Sequence, residues 1–333
     1  MIEISEPGGE QDVRRVMAEL RAAGELTLDR VPWARFSHAY GPADDVPAML
    51  QVLYAPEPDA ARHGLVNLWN KVRHQGNSDT ALALAVPFLL RIAATPGAHG
   101  RGRVLRLAAE AGHRNHFGTD LRTDLFQVAD DPDDLMIDGS GRPVVWTQQA
   151  AREAVTADAA LLIRLLDDPD PLVRANTAYA LAGALWPPPE VPAALRARLA
   201  AETSQAVRIS LVLALAQLAV EHGDPDVVMW TGELWTDAAN TPDVRFAAAL
   251  SWLCATTQPV PDRMLDLFGE VVGPDLAGWM QDVPWPDRIA EPGGLVAWLV
   301  AFLNEAPPVQ DRRAVFGGGG PSVSPGDRAG PGS

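Results

Sequence analysis

Apolar residues in this chain gather into long runs, each opened by a short polar turn, and three of those junctions are near copies of one another. Asp170-Pro-Leu-Val-Arg174 leads into ANTAYALAGAL, Gln205-Ala-Val-Arg208 into ISLVLALAQL, and Asp243-Val-Arg245 into FAAALSWLCA. The arginines stand 34 and 37 residues apart, which is room for two short antiparallel helices and their loops in every period. A fourth copy, Pro58-Asp-Ala-Ala-Arg62 into HGLVNLWNKV, lies 112 residues before Arg174, close to three periods of about 37. The pattern predicts an all-α chain in which helix pairs stack into an α-α superhelix. One arginine per unit at a fixed position is what architecture requires. Arg62, Arg174, Arg208 and Arg245 are therefore expected to bind a carboxylate or a helix-end carbonyl and to fix the stacking of units.

Other segments extend the series. Val13, Val16, Met17 and Leu20 have the spacing of an amphipathic helix that ends at Gly24, a cap for the array within residues 1–43. DDVPAMLQVLY, PEPDAARHGLVNLWNKV and DTALALAVPFLLRIAA read as three helices, the last two parted by the HQGN turn at 74–77, and Arg101 to Ala111 as another. Residues 112–145 break the pattern with many aspartates and little apolar material, so they are expected to form an irregular insertion. The array then resumes with WTQQAAREAV and ADAALLIRLLDD, pauses at Trp186-Pro-Pro-Pro189, and continues through VPAALRARLAA, DVVMWTGELW, PDRMLDLFGEVV and GLVAWLVAFLN. The expected body covers 1–306. Residues 307–333 are rich in glycine, proline and serine and should form a disordered tail.

Composition narrows the function. The chain has 333 residues with 43 acidic and 27 basic side chains, a formal charge of −16. A phosphate backbone would be repelled unless a basic stripe intervened, and the densest candidate, Arg101, Arg103 and Arg106 with Arg114, reads as a solvated helix face. Nucleic acid is thus an unfavoured partner. The lone Cys254 sits inside AAALSWLCA, where a buried thiol is expected and no intrachain disulfide can form. The amino terminus lacks a secretory pattern, and the strongest apolar run, Ala81 to Leu90, is too short for a bilayer and holds Pro87. A cytoplasmic, membrane-free chain is expected.

Candidate chemistry is sparse. His113 and His116 precede Asp120 and Asp124 and could share a metal, but Gly112 and Gly118 interrupt the helix that this would need. Surface or capping histidines are the preferred reading. The acidic run Asp130, Asp131, Asp133, Asp134 and Asp138 fails the calcium-loop pattern, because Met136 stands where glycine is required. No nucleophile elbow, phosphate loop, zinc-protease pair or dinucleotide fingerprint occurs, so neither a catalytic set, a cofactor nor a metal is predicted. Of ten tryptophans, Trp33, Trp186 and Trp285 adjoin prolines in turns, where a partly exposed indole could anchor a partner.

The units DDPDPLVRANTAYALAGAL and TPDVRFAAALSWL resemble HEAT repeats, in which an aspartate and proline turn precedes Val-Arg in a unit's second helix. WARFSHAYGPADDVPAMLQVLY, VRHQGNSDTALALAVPFLLRI and AREAV are similar to actinobacterial HEAT-repeat proteins, which share an aromatic-rich lead-in, a His-Gln-Gly turn and a Val-Pro-Phe-Leu-Leu helix. The resemblance implies a HEAT/armadillo-like solenoid and brings no catalytic residues. The expected function is a scaffold or adaptor that presents the groove of its second helices to a protein partner. Two HEAT-like alternatives are an enzyme acting on nucleic acid, in the manner of a DNA glycosylase, and a lyase-related binder of bilins. An acidic inhibitor or immunity-type binder of a basic toxin is a further variant that rests on net charge.

Overall fold

The computed structural model describes residues 12–114, 121–128, 137–138, 141–285 and 294–305. Within them the chain is all-α. The helices are α1 (Val13–Ala22), α2 (Val46–Val52), α3 (Pro58–Val72), α4 (Thr80–Ala94), α5 (Arg101–Glu110), α6 (Leu121–Phe126), α7 (Val144–Ala157), α8 (Ala159–Leu165), α9 (Pro171–Ala182), α10 (Glu190–Ala201), α11 (Gln205–Glu221), α12 (Val227–Thr236), α13 (Pro242–Ala255), α14 (Asp262–Val271), α15 (Pro274–Met280) and α16 (Gly294–Asn304).

Local chemistry sets the boundaries. Asp170 caps α9 by accepting the N–H of Leu172, and Pro171 follows at the first helical position, where its missing donor costs nothing. Pro58 and Pro242 open α3 and α13 in the same way. Pro87 lies inside α4, a helix buried on almost every side, so packing outweighs the lost backbone hydrogen bond.

The stack follows from which helices are apolar all round. In α9, every residue from Val173 to Ala182 is buried, and in α13 so is nearly every residue from Asp243 to Cys254. Such helices must be covered on all faces. α5 packs on α9, α9 on α11 and α11 on α13, forming an inner row. α8, α10 and α12 pack against members of that row from outside, α4 is held between α5 and α7, and α14 closes on α13.

Against the expectation of an open groove, the inner row is covered on its other side as well. α6, from the supposedly irregular insertion, lies against α11 and α13, α15 lies against α11, and α16 packs on α6. The physical reason is in the inner helices themselves: residues Ile209 to Leu218 of α11 form an unbroken buried run that an open groove would have left wet.

Two short hairpins are the described strands: β1 (Ser37–His38) with β2 (Gly41–Pro42), and β3 (Arg73–His74) with β4 (Asn77–Ser78). The HQGN turn is the second of these, and it holds Gln75 at φ 50° and Gly76 at φ 83°. Both central residues of that two-residue loop are left-handed, as a primed hairpin turn demands. Residues 1–11 of the expected cap, most of 115–140 and the tail from 307 lie outside the described residues, and His116, Asp120, Asp130, Asp131, Asp133 and Asp134 with them. No described helix is long and apolar enough to cross a membrane.

Candidate functional site

The recurring arginines separate into members and non-members of one ladder. Arg174 donates Nε and Nη2 to the two oxygens of Glu202 at 2.7 and 2.9 Å, and Nη1 to the carbonyls of Asp168 and Pro169 at 2.7 and 3.2 Å. Arg208 repeats the figure on Asp243 at 2.6 and 3.0 Å, with Nη1 on the carbonyls of Glu202 and Thr203 at 3.3 and 3.1 Å. Each guanidinium thus ties off the turn before its own helix and grips a carboxylate of the next unit, Glu202 in the turn that leads into α11 and Asp243 in the first turn of α13. Arg101 does the same from the first turn of α5, with Nε 2.6 Å from the Ala93 carbonyl and Nη2 on Asp168. Among the described residues Arg245 reaches only the Trp235 carbonyl, at 3.2 Å. Arg62 is no part of the ladder: it pairs with Asp59 on the exposed side of α3.

Burial pushes the Glu202 carboxyl upward, but the Arg174 hydrogen bond and the N–H groups of Ser204 and Thr203 prevail and hold it at about 2. Glu110 is a second such group. Burial raises it, while Arg106 and Arg73 on either side hold it at about 2.

Beside Glu110 begins the polar seam that fastens the covering segment. His113 is buried, donates Nδ1–H to the Ala109 carbonyl at 2.8 Å, and stacks on Tyr179 with ring centroids 4.0 Å apart. Burial, despite the Ala109 bond, depresses its pKa to about 4, so the ring is neutral. Tyr179 meets Trp285 edge-on at 4.8 Å. Trp285 donates to Gln217 Oε1 at 2.7 Å, and Gln217 donates to the Ala182 carbonyl at 2.9 Å. Further along, buried Arg122 of α6 donates to the Phe302 and Leu303 carbonyls at the end of α16, each at 2.9 Å.

The two hairpins make a third polar group. Tyr40 N–H donates to His38 Nδ1 at 3.1 Å, which leaves His38 Nε2 to face Asp45 Oδ1 at 3.0 Å. Lys71 holds the other Asp45 oxygen, and the Tyr40 hydroxyl lies 3.3 Å from His74 Nδ1. Asp79, at the head of α4, is pushed up to about 7 by burial and then by the nearby Asp138 carboxylate.

The tryptophans differ sharply. Trp33 is 5% exposed and donates to the Leu28 carbonyl at 2.8 Å; Trp285 is 7% exposed and bound to Gln217; Trp186 stands 57% exposed near His222. Proline neighbours place all three in turns, yet the folded chain covers two of those turns, so only Trp186 keeps the anchoring role open. A shallow pocket opens beside Trp33, edged by Asp29, Arg35 and Asp44. His113 turns toward Tyr179, whereas Asp124 pairs with Arg114 at 3.1 Å, so the structure does not bring that histidine and aspartate onto one ligand. Among the described residues no group of three metal-ligating side chains occurs. Cys254 is buried, as the run around it implies.

Sequence reasoning placed Arg101, Arg106 and Arg114 on a solvated helix face, whereas their side chains are largely buried and paired with Asp168, Glu110 and Asp124, and Asp168 lies 67 positions from its arginine. The same reasoning missed Arg122 and the covering segment, which carry no repeat signature. No protein-family model, curated protein or solved structure matches the chain.

Proposed function

We propose that this chain is a non-catalytic, cytoplasmic HEAT-like module that binds a protein partner through the outer faces of its stacked helices. The observation that carries the reading is a set of exposed large apolar side chains at the first end of the stack. Tyr40, Val52, Tyr54 and Val66 are 64%, 41%, 50% and 51% exposed. Val52 lies so close to α3 that a Cβ on Gly64 would sit 2.6 Å from its Cγ1. Isolated exposed apolar residues are ordinary, but the terminal unit of a solenoid ordinarily turns a polar face to water. Exposed Trp186 offers a further anchor on the flank.

A nucleic-acid role receives less support, since Arg101, Arg152, Arg174 and Arg208 are each bound to a carboxylate of the chain itself. The test is affinity capture of the intact chain from its native cytoplasm, with and without nuclease, followed by mass spectrometry. A stoichiometric, nuclease-resistant protein supports the proposal. Empty or nuclease-sensitive captures overturn it.

A further inference from the structure

The last two outer helices carry the same surface pattern. On α12 and its cap, Asp226, Met229 and Glu233 are exposed, while Val227, Thr231 and Trp235 are buried. On α14, Asp262, Leu265, Asp266 and Glu270 are exposed, while Met264, Leu267, Phe268 and Val271 are buried. Asp262 follows Asp226 by 36 residues and Leu265 follows Met229 by 36. Each helix therefore shows water an acid and, one turn later, a large apolar side chain; further acids follow at Glu233 on α12 and at Asp266 and Glu270 on α14, while Gly269 stands 36 residues after Glu233. Met229 is 60% and Leu265 47% exposed.

The pattern belongs to these two helices. At the corresponding positions α10 carries Glu190 and Ala193, so it shares the first acid but not the large apolar residue. α12 and α14 both pack on α13, and Arg263 of α14 lies 5.9 Å from the ring centroid of Trp235 on α12, which ties the first turn of one helix to the other.

Charge decides what this face can hold. From Glu221 to Asp282 the sequence has eleven acidic residues and two basic ones, Arg245 and Arg263. Both arginines are drawn to Trp235, one on its carbonyl and one over its ring. Among the described residues Asp226, Glu233, Asp262, Asp266 and Glu270 form no ion pair. Some exposed acids elsewhere are matched, as Asp59 by Arg62 and Asp167 by Arg198, and others such as Glu57 and Glu190 are not, so it is the local scarcity of basic residues that sets this face apart.

We infer that the α12 and α14 faces together form a docking surface for a cationic amphipathic segment of a protein partner, in which apolar residues seat on Met229 and Leu265 and flanking Lys or Arg side chains meet the carboxylates. This rests on the protein-binding reading and names the surface and the chemistry of its partner.

The test titrates the full chain with a Leu/Lys amphipathic helical peptide and with its Leu/Glu counterpart. Two variants accompany the parent: a face variant with Asp226→Lys, Glu233→Lys, Asp266→Lys and Glu270→Lys, and a control with Glu57→Lys, Asp59→Lys and Asp167→Lys. Circular dichroism melts confirm that both fold, and Met229→Ala with Leu265→Ala serves if the face variant does not. The Leu/Lys peptide should bind the parent and control alike, bind the face variant about tenfold or more weakly, and bind in preference to the Leu/Glu peptide. Equal weakening in both variants, or none in either, overturns the inference. Repeating the cytoplasmic capture separates the two levels. A partner retained by the face variant sinks this surface alone, whereas no partner on the parent chain sinks the protein-binding reading.

Discussion

A bidentate guanidinium that is mostly buried is a liability once its partner is gone. Removing Arg174 leaves Glu202 with its side chain out of water and its strongest counter-charge missing, so Arg174→Ala should cost about 3 kcal/mol. Arg101→Ala should behave alike, because Asp168 is similarly enclosed. Arg62→Ala, on an exposed pair, should stay within about 0.5 kcal/mol of the parent. Chemical denaturation of the three variants checks the order, and an Arg62 effect as large as that of Arg174 would refute the ladder. Asp79 predicts the opposite sign. Its folded pKa of about 7 lies above the ordinary 3.8, so its favourable contribution is complete below 3.8 and is lost as pH rises through 7. Asp79→Asn should therefore gain stability relative to the parent between pH 5 and pH 8, read as a difference in melting temperature at the two values. The gain should grow over that range, and one that stays flat would show that Asp79 is already charged in the folded chain at pH 5.

At the level of elements, close approach decides which contacts are brittle. A Cβ on Gly102 would lie 2.6 Å from Leu172 Cγ and 3.1 Å from the Leu172 carbonyl carbon, so α5 meets the start of α9 through a glycine. Gly102→Ala should cost about 1–3 kcal/mol through this overlap, despite alanine's better helix propensity. A variant as stable as the parent would mean that the two helices part freely. The same elements show what the sequence could disclose. The Val-Arg junctions announced α9, α11 and α13 because a capped turn followed by an apolar run is a local signal. The covering helices α6 and α15 were unreadable, since a short apolar stretch such as Leu125 and Phe126 has no period of its own and gains its place from surfaces contributed by distant helices. For the candidate site, Arg174 and Arg208 were legible as repeated positions. Their partners were not, because Glu202 and Asp243 sit at different offsets from their arginines.

Across the whole molecule, acid acts on the interior and the surface in opposite ways. The chain carries −16 at neutral pH and has a sequence pI near 4.8, so mild acidification first relieves repulsion among exposed carboxylates. Buried His113 works against that gain. Its folded pKa of about 4 lies below the ordinary 6.5, so the unfolded chain takes up the proton first and stability is withdrawn as pH falls from 6.5 toward 4. Glu202 and Glu110 follow at lower pH. Both are held at about 2 against an ordinary 4.5, so their contribution is complete above 4.5 and disappears as pH falls toward 2. Stability should thus begin to fall near pH 4.5, where the net charge is still small, because what is lost is the grip of one unit on the next. The discriminating variant is Glu202→Gln, which keeps the shape but removes the titrating group. It should lower the urea midpoint at pH 7 and give a shallower decline than the parent between pH 4.5 and pH 2.5. Parallel curves for parent and variant would mean that acid unfolds the chain through its surface charge, and that the ladder between α9 and α11 contributes no pH dependence.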